Sequence, residues 1–142
     1  MKLTRVLPVA AILALALAGG RSPLGAQSTK PVPGDYTTAQ AAAGAQLYTA
    51  SCSACHGVDM HGPAGPALIG DAFTAQWTGE AASDPETMMS KNMPLNAPGS
   101  LKPSDYVAIM AYILQQNKYP AGSTPLTPAK LKKIKLLAVH PM

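Results

Sequence analysis

The feature of the sequence that most constrains the fold is a run of five residues, Cys52-Ser53-Ala54-Cys55-His56. Two thiols with two residues between them, followed at once by an imidazole, are typical of covalent haem attachment. In this pattern each thiol adds across one vinyl group of the haem, and the histidine faces the iron as an axial ligand. The run therefore predicts a chain that folds around one large apolar cofactor, haem c, bound covalently through Cys52 and Cys55.

Three other roles of a Cys-x-x-Cys pair fit this sequence less well. A redox pair of the thioredoxin type requires a βαβ context, and no segment here has the alternating pattern of a strand. A structural zinc site requires about four ligands, and only His56, His61 and His140 are available to join the thiols, at unsuitable spacing. A structural disulfide remains open for an exported protein, but it would close a tight ring and leave the position of His56 unexplained.

The first residues of the chain have the pattern of a secretory signal peptide. Lys2 and Arg5 form a basic start, residues 6–18 are largely apolar, and cleavage is expected at the end of this run or after Ala26. The apolar run is too short for a comfortable membrane span, and no cysteine lies at either cleavage site to carry a lipid anchor. We therefore expect residues 1–26 to be removed and the mature protein to be periplasmic, with no transmembrane segment.

The charge of the chain is explained mostly by this signal. The formal net charge is +4, and removal of a signal that ends at Ala26 takes away three basic residues and leaves 8 basic against 7 acidic ones. Such a balance does not predict a nucleic-acid partner. The remaining basic residues crowd the C-terminal tail, where they could steer an acidic redox partner, although a solvated face is the favoured interpretation. They are Lys130, Lys132, Lys133 and Lys135.

The mature chain predicts helices joined by long loops. A first helix is expected over residues 39–50, with Thr37 as its N-cap and Gln40 completing a capping box. Gly44 inside this helix costs roughly 1 kcal/mol relative to alanine, which predicts a close contact with another element. Residues 57–70 are rich in glycine and proline and predict a loop that can follow a flat ring closely.

Three further helices and a final turn are expected after this loop. The first of them covers residues 71–78. The next has Ser83 or Asp84 as its N-cap and Pro85 at its first position, where proline is tolerated. The last covers residues 103–116 and has a broad apolar face. The final turn reaches residue 133, and the side chains expected to pack back on the body are Leu131, Ile134 and Leu137.

The candidate for the second axial ligand of the iron is Met93, which lies in a predicted loop. A methionine thioether opposite histidine raises the reduction potential and closes the iron to oxygen, as in an electron carrier. Met88 and Met89 fall on a predicted helix and are expected to fill the core. Met60 is too near His56 to reach the opposite face of a haem. The alternative for Met93 is a side chain on a surface loop.

With Met93-Pro94 read beside the motif at residues 52–56, the chain resembles a class I c-type cytochrome of the monohaem bacterial type. The resemblance implies an all-α fold, the class I cytochrome c fold, in which three to five helices with long loops wrap round one covalently bound haem. It implies a cytochrome domain at residues 37–118, after a flexible leader (27–36) and before a C-terminal extension (119–142) that packs on the domain. The supporting segments are Gly44 with residues 47–48, and residues 65–68, 93–101 and 111–114.

The resemblance also implies roles for residues around the haem. It implies that the first and last helices cross with Gly44 against an aromatic near Tyr112. It places at Pro66 a carbonyl that accepts the Nδ1 proton of His56, as partners of ligand histidines commonly do. Trp77 resembles the family's tryptophan near a haem propionate, with a core position as the equal alternative.

A cytochrome of this type implies electron transfer, in which a His/Met-ligated iron cycles between Fe(III) and Fe(II). The chain is then expected to be an electron carrier rather than an enzyme. Residues 117–127 are similar to cytochrome subunits of periplasmic quinoprotein dehydrogenases, which implies a dehydrogenase as donor and an oxidase or another cytochrome of the respiratory chain as acceptor. The rival interpretations are a haem sensor, ligand binder or peroxidase-like enzyme, each of which requires an open sixth position, and a subunit held permanently in a dehydrogenase complex.

Overall fold

The computed structural model of the chain describes residues 36–137. The predicted signal peptide (1–26), all but the last residue of the predicted leader (27–36) and His140 lie outside this range. None of the described helices is long and apolar enough to cross a membrane.

The described part of the chain is built from helices and contains no strand, only two isolated β-bridges. The all-α prediction is confirmed. The four longer helices are the predicted ones, and the count exceeds the expected three to five because two single turns of four residues are also helical. The elements are α1 (Thr38–Ser51), α2 (Ser53–His56), α3 (Gly70–Trp77), α4 (Ser83–Asn92), α5 (Pro103–Gln116) and α6 (Pro128–Leu131).

The start of α1 follows half of the predicted capping box. The Thr37 hydroxyl accepts a hydrogen bond from the Gln40 backbone N–H at 3.2 Å, so Thr37 is the N-cap as predicted. The Gln40 side chain, however, pairs with the backbone of Leu126: its Nε2 donates to the carbonyl oxygen at 2.9 Å, and its Oε1 accepts from the N–H at 2.7 Å. This arrangement satisfies both polar atoms of the amide, whereas a capping box would use one.

The start of α4 differs from the prediction. The helix begins at Ser83, its N-cap is Ala82, and no side chain caps it from that position, so Pro85 is the third residue of the helix and not the first. Asp84 acts from inside the first turn, where its Oδ2 accepts a hydrogen bond from the Ala81 N–H at 3.0 Å. Proline is tolerated there because the first N–H groups of a helix have no partner within the helix.

Helices α1 and α5 form the most extensive helix–helix contact of the described chain. They cross at Gly44, where an added Cβ would overlap the Ala108 backbone carbonyl. The nearest atoms to that Cβ are therefore backbone atoms of α5, and the aromatic contact implied for Gly44 stays a prediction. Tyr112 packs on Tyr48, with the ring centroids 5.6 Å apart in an edge-on arrangement. The close backbone approach accounts for the glycine.

The C-terminal segment packs back on the body, but with a different side chain inward than predicted. Leu131 is fully buried and Ile134 packs against the core, whereas Leu137 is 64% exposed and Leu136 takes the buried position. The reason is that the segment runs extended after α6, and its Leu136 N–H donates to the Glu80 carbonyl at 2.9 Å. Because neighbouring side chains of an extended chain point to opposite sides, Leu136 inward places Leu137 outward.

Candidate haem site

A cavity of about 600 Å³ lies among the helices, within the size range of small-molecule and cofactor sites. Its walls come from the end of α1, from α2, α3, α4 and α5, and from the loops that follow α2 and α4. The lining is mostly apolar, and none of the described residues that form it is an aspartate, glutamate, lysine or arginine. The six residues singled out from the sequence all lie on it: Cys52, Cys55, His56, Pro66, Trp77 and Met93.

The two cysteines stand at the junction of α1 and α2. The Cys52 N–H donates to the Tyr48 carbonyl at 2.8 Å, and the chain then turns directly into α2. Both thiols are free; Cys52 is half-buried and Cys55 is exposed. Burial raises the pKa of the Cys52 thiol to about 11, so that this thiol is protonated at neutral pH. Two free thiols on the wall of an apolar cavity are what thioether attachment to a haem requires.

The two simpler interpretations of these cysteines find no support in the described residues. The structure contains no disulfide between them. Within residues 36–137, no group of three or more His, Cys, Asp or Glu side chains could hold a metal ion, which leaves the zinc interpretation without a donor set there.

The His56 ring is held in one orientation by the backbone around it. Its Nδ1 lies 2.8 Å from the Pro66 carbonyl oxygen. Because a carbonyl oxygen can only accept, Nδ1 carries the proton, and the lone pair of Nε2 remains for a metal. Gly65 lies flat against the ring: a Cβ there would come within 2.9 Å of His56 Cε1 and 3.0 Å of Nδ1. His56 is 9% exposed.

The loop after His56 is fastened to the helices that precede it. The Gly65 N–H donates to the Cys55 carbonyl at 2.9 Å, and the Tyr48 hydroxyl donates to the Gly57 carbonyl at 2.7 Å. Burial, with a smaller effect of nearby Cys52, raises the pKa of Tyr48 to about 12. Tyr48 therefore stays protonated and keeps this hydrogen bond at neutral pH.

Met93 reaches the same cavity from the end of α4. It is the C-cap residue of that helix, and its N–H donates to the Met89 carbonyl at 2.9 Å. Its own carbonyl oxygen accepts from the Tyr106 hydroxyl at 2.7 Å and from the Gly99 N–H at 3.2 Å. The side chain is half-buried and packs against the core. Nothing in the sequence pattern pointed to Tyr106, because its partner lies in another element.

Three other methionines border the cavity. Met88 and Met89 come from α4 and Met110 from α5, whereas Met60 is buried outside the lining. Met88 and Met89 were predicted as core residues; Met89 is buried in the core, whereas Met88 is half-buried and outside the core cluster. A thioether is soft and polarisable, so these side chains suit the face of a large conjugated ring.

The tryptophan and a set of neutral polar groups complete the lining. Trp77 is half-buried, lines the cavity and also packs against the core, so its position fits both roles named for it. Phe73, one turn earlier in α3, is buried beside it. The polar side chains that the sequence pattern did not single out are Ser51, Gln76, Asn96 and Ser100, all of them uncharged. These groups can donate hydrogen bonds to the carboxylates of a cofactor without adding a charge.

The cavity and its donor set fit a haem: apolar walls, two free thiols, an imidazole with a fixed tautomer and several thioethers. This site inside an all-α fold defines a class I c-type cytochrome. The family model described as cytochrome C oxidase, cbb3-type, subunit III matches residues 39–113, just over half of the chain. The chain therefore belongs to this family of c-type cytochrome domains, which bind haem covalently and transfer electrons. The comparison with curated proteins found no match.

A solved structure shows the same fold. The crystal structure of the sulfane dehydrogenase SoxCD from Paracoccus pantotrophus contains a chain that is 23% identical, with a TM-score of 0.59. The match covers 68% of this chain and 52% of that chain, so this protein spans about half the length of that relative. At this identity the likeness concerns the fold.

Proposed function

We propose that the protein is a monohaem electron carrier with one haem c attached through Cys52 and Cys55 and ligated by His56 and Met93. The observation that carries the proposal is that two free thiols, an imidazole and this thioether line one cavity although they come from separate segments. When bound, the haem would supply an iron that cycles between Fe(III) and Fe(II).

The chain's own residues would set the properties of that iron. The Pro66 carbonyl holds the His56 proton at Nδ1, which fixes the ring and strengthens Nε2 as a ligand for the iron. The Met93 thioether would occupy the sixth position, raise the potential and exclude oxygen. Trp77 would lie beside a propionate of the haem, with its indole N–H as the donor. The apolar walls keep water away.

We further propose the cellular setting that the sequence pattern favours. Residues 1–26 would act as a signal peptide, residues 37–118 as the haem domain and residues 119–142 as an extension that packs on it. The basic start and apolar run support export to the periplasm. The buried side chains of Leu126 and Leu131 support the packing of the extension.

The proposed redox partners are a periplasmic dehydrogenase as donor and an oxidase or another cytochrome of the respiratory chain as acceptor. The donor rests on the similarity of residues 117–127 to cytochrome subunits of quinoprotein dehydrogenases. The acceptor is supported by the description of the matching family, which names an oxidase subunit.

An absorption spectrum of the exported protein, made in cells that attach haem, tests the ligation. The expected result is a low-spin spectrum in both redox states, with the weak methionine-to-ferric-iron charge-transfer band and no change when carbon monoxide is added to the reduced form. The Met93→Leu variant should lose that band and bind carbon monoxide. Met60→Leu is the control, because Met60 is buried outside the cavity and should leave the spectrum unchanged.

Two results would contradict the proposal. A wild-type spectrum that shifts with carbon monoxide would mean an open sixth position and would favour a sensor or a peroxidase-like enzyme. A Met93→Leu spectrum identical to that of the wild type would exclude Met93 as the ligand. Co-purification from the periplasm distinguishes a free carrier from a permanent subunit of a dehydrogenase.

A further inference from the structure

One buried hydroxyl forms hydrogen bonds with both ends of the loop at residues 93–101, which begins with Met93. Tyr106, in the first turn of α5, is 2% exposed. Its hydroxyl donates to the Met93 carbonyl oxygen at 2.7 Å and accepts from the Leu101 N–H at 3.4 Å. We propose that Tyr106 is a positioning residue, which holds the Met93 thioether in place as an axial ligand of the iron. This inference rests on the proposed ligation by Met93.

The loop depends on such a tether because, apart from the cavity that it lines, it has little to pack against. Residues 95–100 are all exposed, and Leu95 at 71% is among the most exposed large apolar side chains of the described residues. The loop's own hydrogen bonds are short-range turns, such as that of the Ala97 N–H to the Pro94 carbonyl at 2.9 Å. They shape the loop but do not connect it to the helices.

Removal of the Tyr106 hydroxyl would affect its two hydrogen-bond partners differently. The Met93 carbonyl would keep the Gly99 N–H as a partner if the hydroxyl were removed. The N–H of the half-buried Leu101 would face an aromatic ring edge instead of an oxygen, and an N–H without a partner is costly wherever water does not reach it. The loop would then move outward to hydrate this group, and Met93 would move with it.

Such a movement is measurable through ligands that compete with methionine. An external ligand such as imidazole would bind the ferric iron only while the Met93 thioether is dissociated from it. Its apparent affinity is therefore the intrinsic affinity multiplied by the population of the open state. Loss of one hydrogen bond of ordinary strength should raise this population, and with it the apparent affinity, by about 2- to 10-fold.

The experiment compares two variants of the holoprotein that are matched in chemistry. Tyr106→Phe keeps the buried ring and removes the hydroxyl. Tyr36→Phe is the control, since Tyr36 is also 2% exposed, its hydroxyl also donates to a backbone carbonyl, that of Tyr119, at 2.7 Å, and it does not line the cavity. Imidazole titration of the ferric protein gives the affinity, and thermal unfolding shows whether both variants lose similar stability.

The expected result is a 2- to 10-fold rise in imidazole affinity for Tyr106→Phe and none for Tyr36→Phe. Equal affinities in the two variants would overturn the positioning role while the wild type still shows the methionine band. A wild type without that band would instead mean that Met93 is not the ligand, and the proposed function would fail first.

Discussion

Gly44 in α1 lies directly against the backbone carbonyl of Ala108 in α5, so no side chain fits between the two helices at this point. The contact joins the helix that leads into the cysteine motif to α5, which also lines the cavity. The geometry of the site therefore depends on how closely the backbones of α1 and α5 approach each other. Adding a single methyl group at Gly44 tests this dependence.

The Gly44→Ala variant should be less stable than the wild type by about 1–3 kcal/mol, the usual cost of overpacking. The direction of the change in stability is informative, because glycine to alanine inside an isolated helix stabilises that helix by about 1 kcal/mol. Denaturant unfolding of the holoprotein measures the loss expected in the folded protein. A peptide of residues 38–51 is the control, and its helix content should rise. A more stable Gly44→Ala protein would mean that the helices can separate without loss.

The Gly65→Ala variant should disturb the His56 ring. The new Cβ would press on Cε1 and Nδ1, so the ring must tilt and its hydrogen bond to the Pro66 carbonyl must weaken. A less basic and displaced imidazole should change the visible spectrum and the reduction potential. Gly70→Ala is the control, because its positive φ of 66° strains the backbone while nothing lies within 4 Å of the new Cβ. A spectrum altered equally in both variants would contradict the argument.

The Tyr48→Phe variant should lose about 1 kcal/mol of stability with its hydrogen bond to the Gly57 carbonyl. It should also change the response to alkali. Tyr48 has a folded pKa of about 12, raised first by burial, against 10.0 for the free side chain. Between these values the unfolded state loses its proton first, so stability falls as pH rises from about 10 to 12.

Unfolding free energies of both proteins across that range check the Tyr48 prediction. The phenylalanine variant lacks the ionisable group, so its stability should fall less steeply than that of the wild type. Parallel curves would mean that Tyr48 ionises as easily folded as unfolded. Burial, the largest cause of the raised pKa of Tyr48, does not depend on whether Cys52 is a thiol or a thioether.

The Gln40→Ala variant should release the C-terminal segment. It removes two hydrogen bonds to the Leu126 backbone, with an expected loss of about 1–3 kcal/mol, and leaves that backbone without partners. Limited proteolysis should cut the segment after α5 sooner than in the wild type. Gln46→Ala on the same helix is the control, since Gln46 is exposed. Equal rates of cleavage in the two variants would show that Gln40 does not hold the segment.

The parts of the structure that could be predicted are those set by neighbours in the sequence. The motif at residues 52–56 is complete within five positions, and the Thr37 cap needs only the N–H of Gln40. The apolar face of α5 repeats at helical spacing. Each of these signals lies within one turn or one helix, and each was found.

The parts that could not be predicted depend on what the fold brings together from far away. Gln40 was assigned to a local capping box because nothing in the sequence reveals that Leu126 offers two partners. Leu137 was expected inside, but the pairing with residues 79–82 fixes the register and places Leu136 there. The hydroxyl of Tyr106 meets Met93 for the same reason.

The pairing of Gln40 with Leu126 spans 86 residues, and that of Tyr36 with Tyr119 spans 83. As the chain emerges from synthesis or export, neither contact can form until residues 119–126 are available, because these partners lie far along the chain from Tyr36 and Gln40. The cysteine motif lies between these ends and appears well before they meet. The segment that makes these contacts thus arrives after the motif, and under the proposed function the thiols would be accessible during that interval to the machinery that attaches the haem.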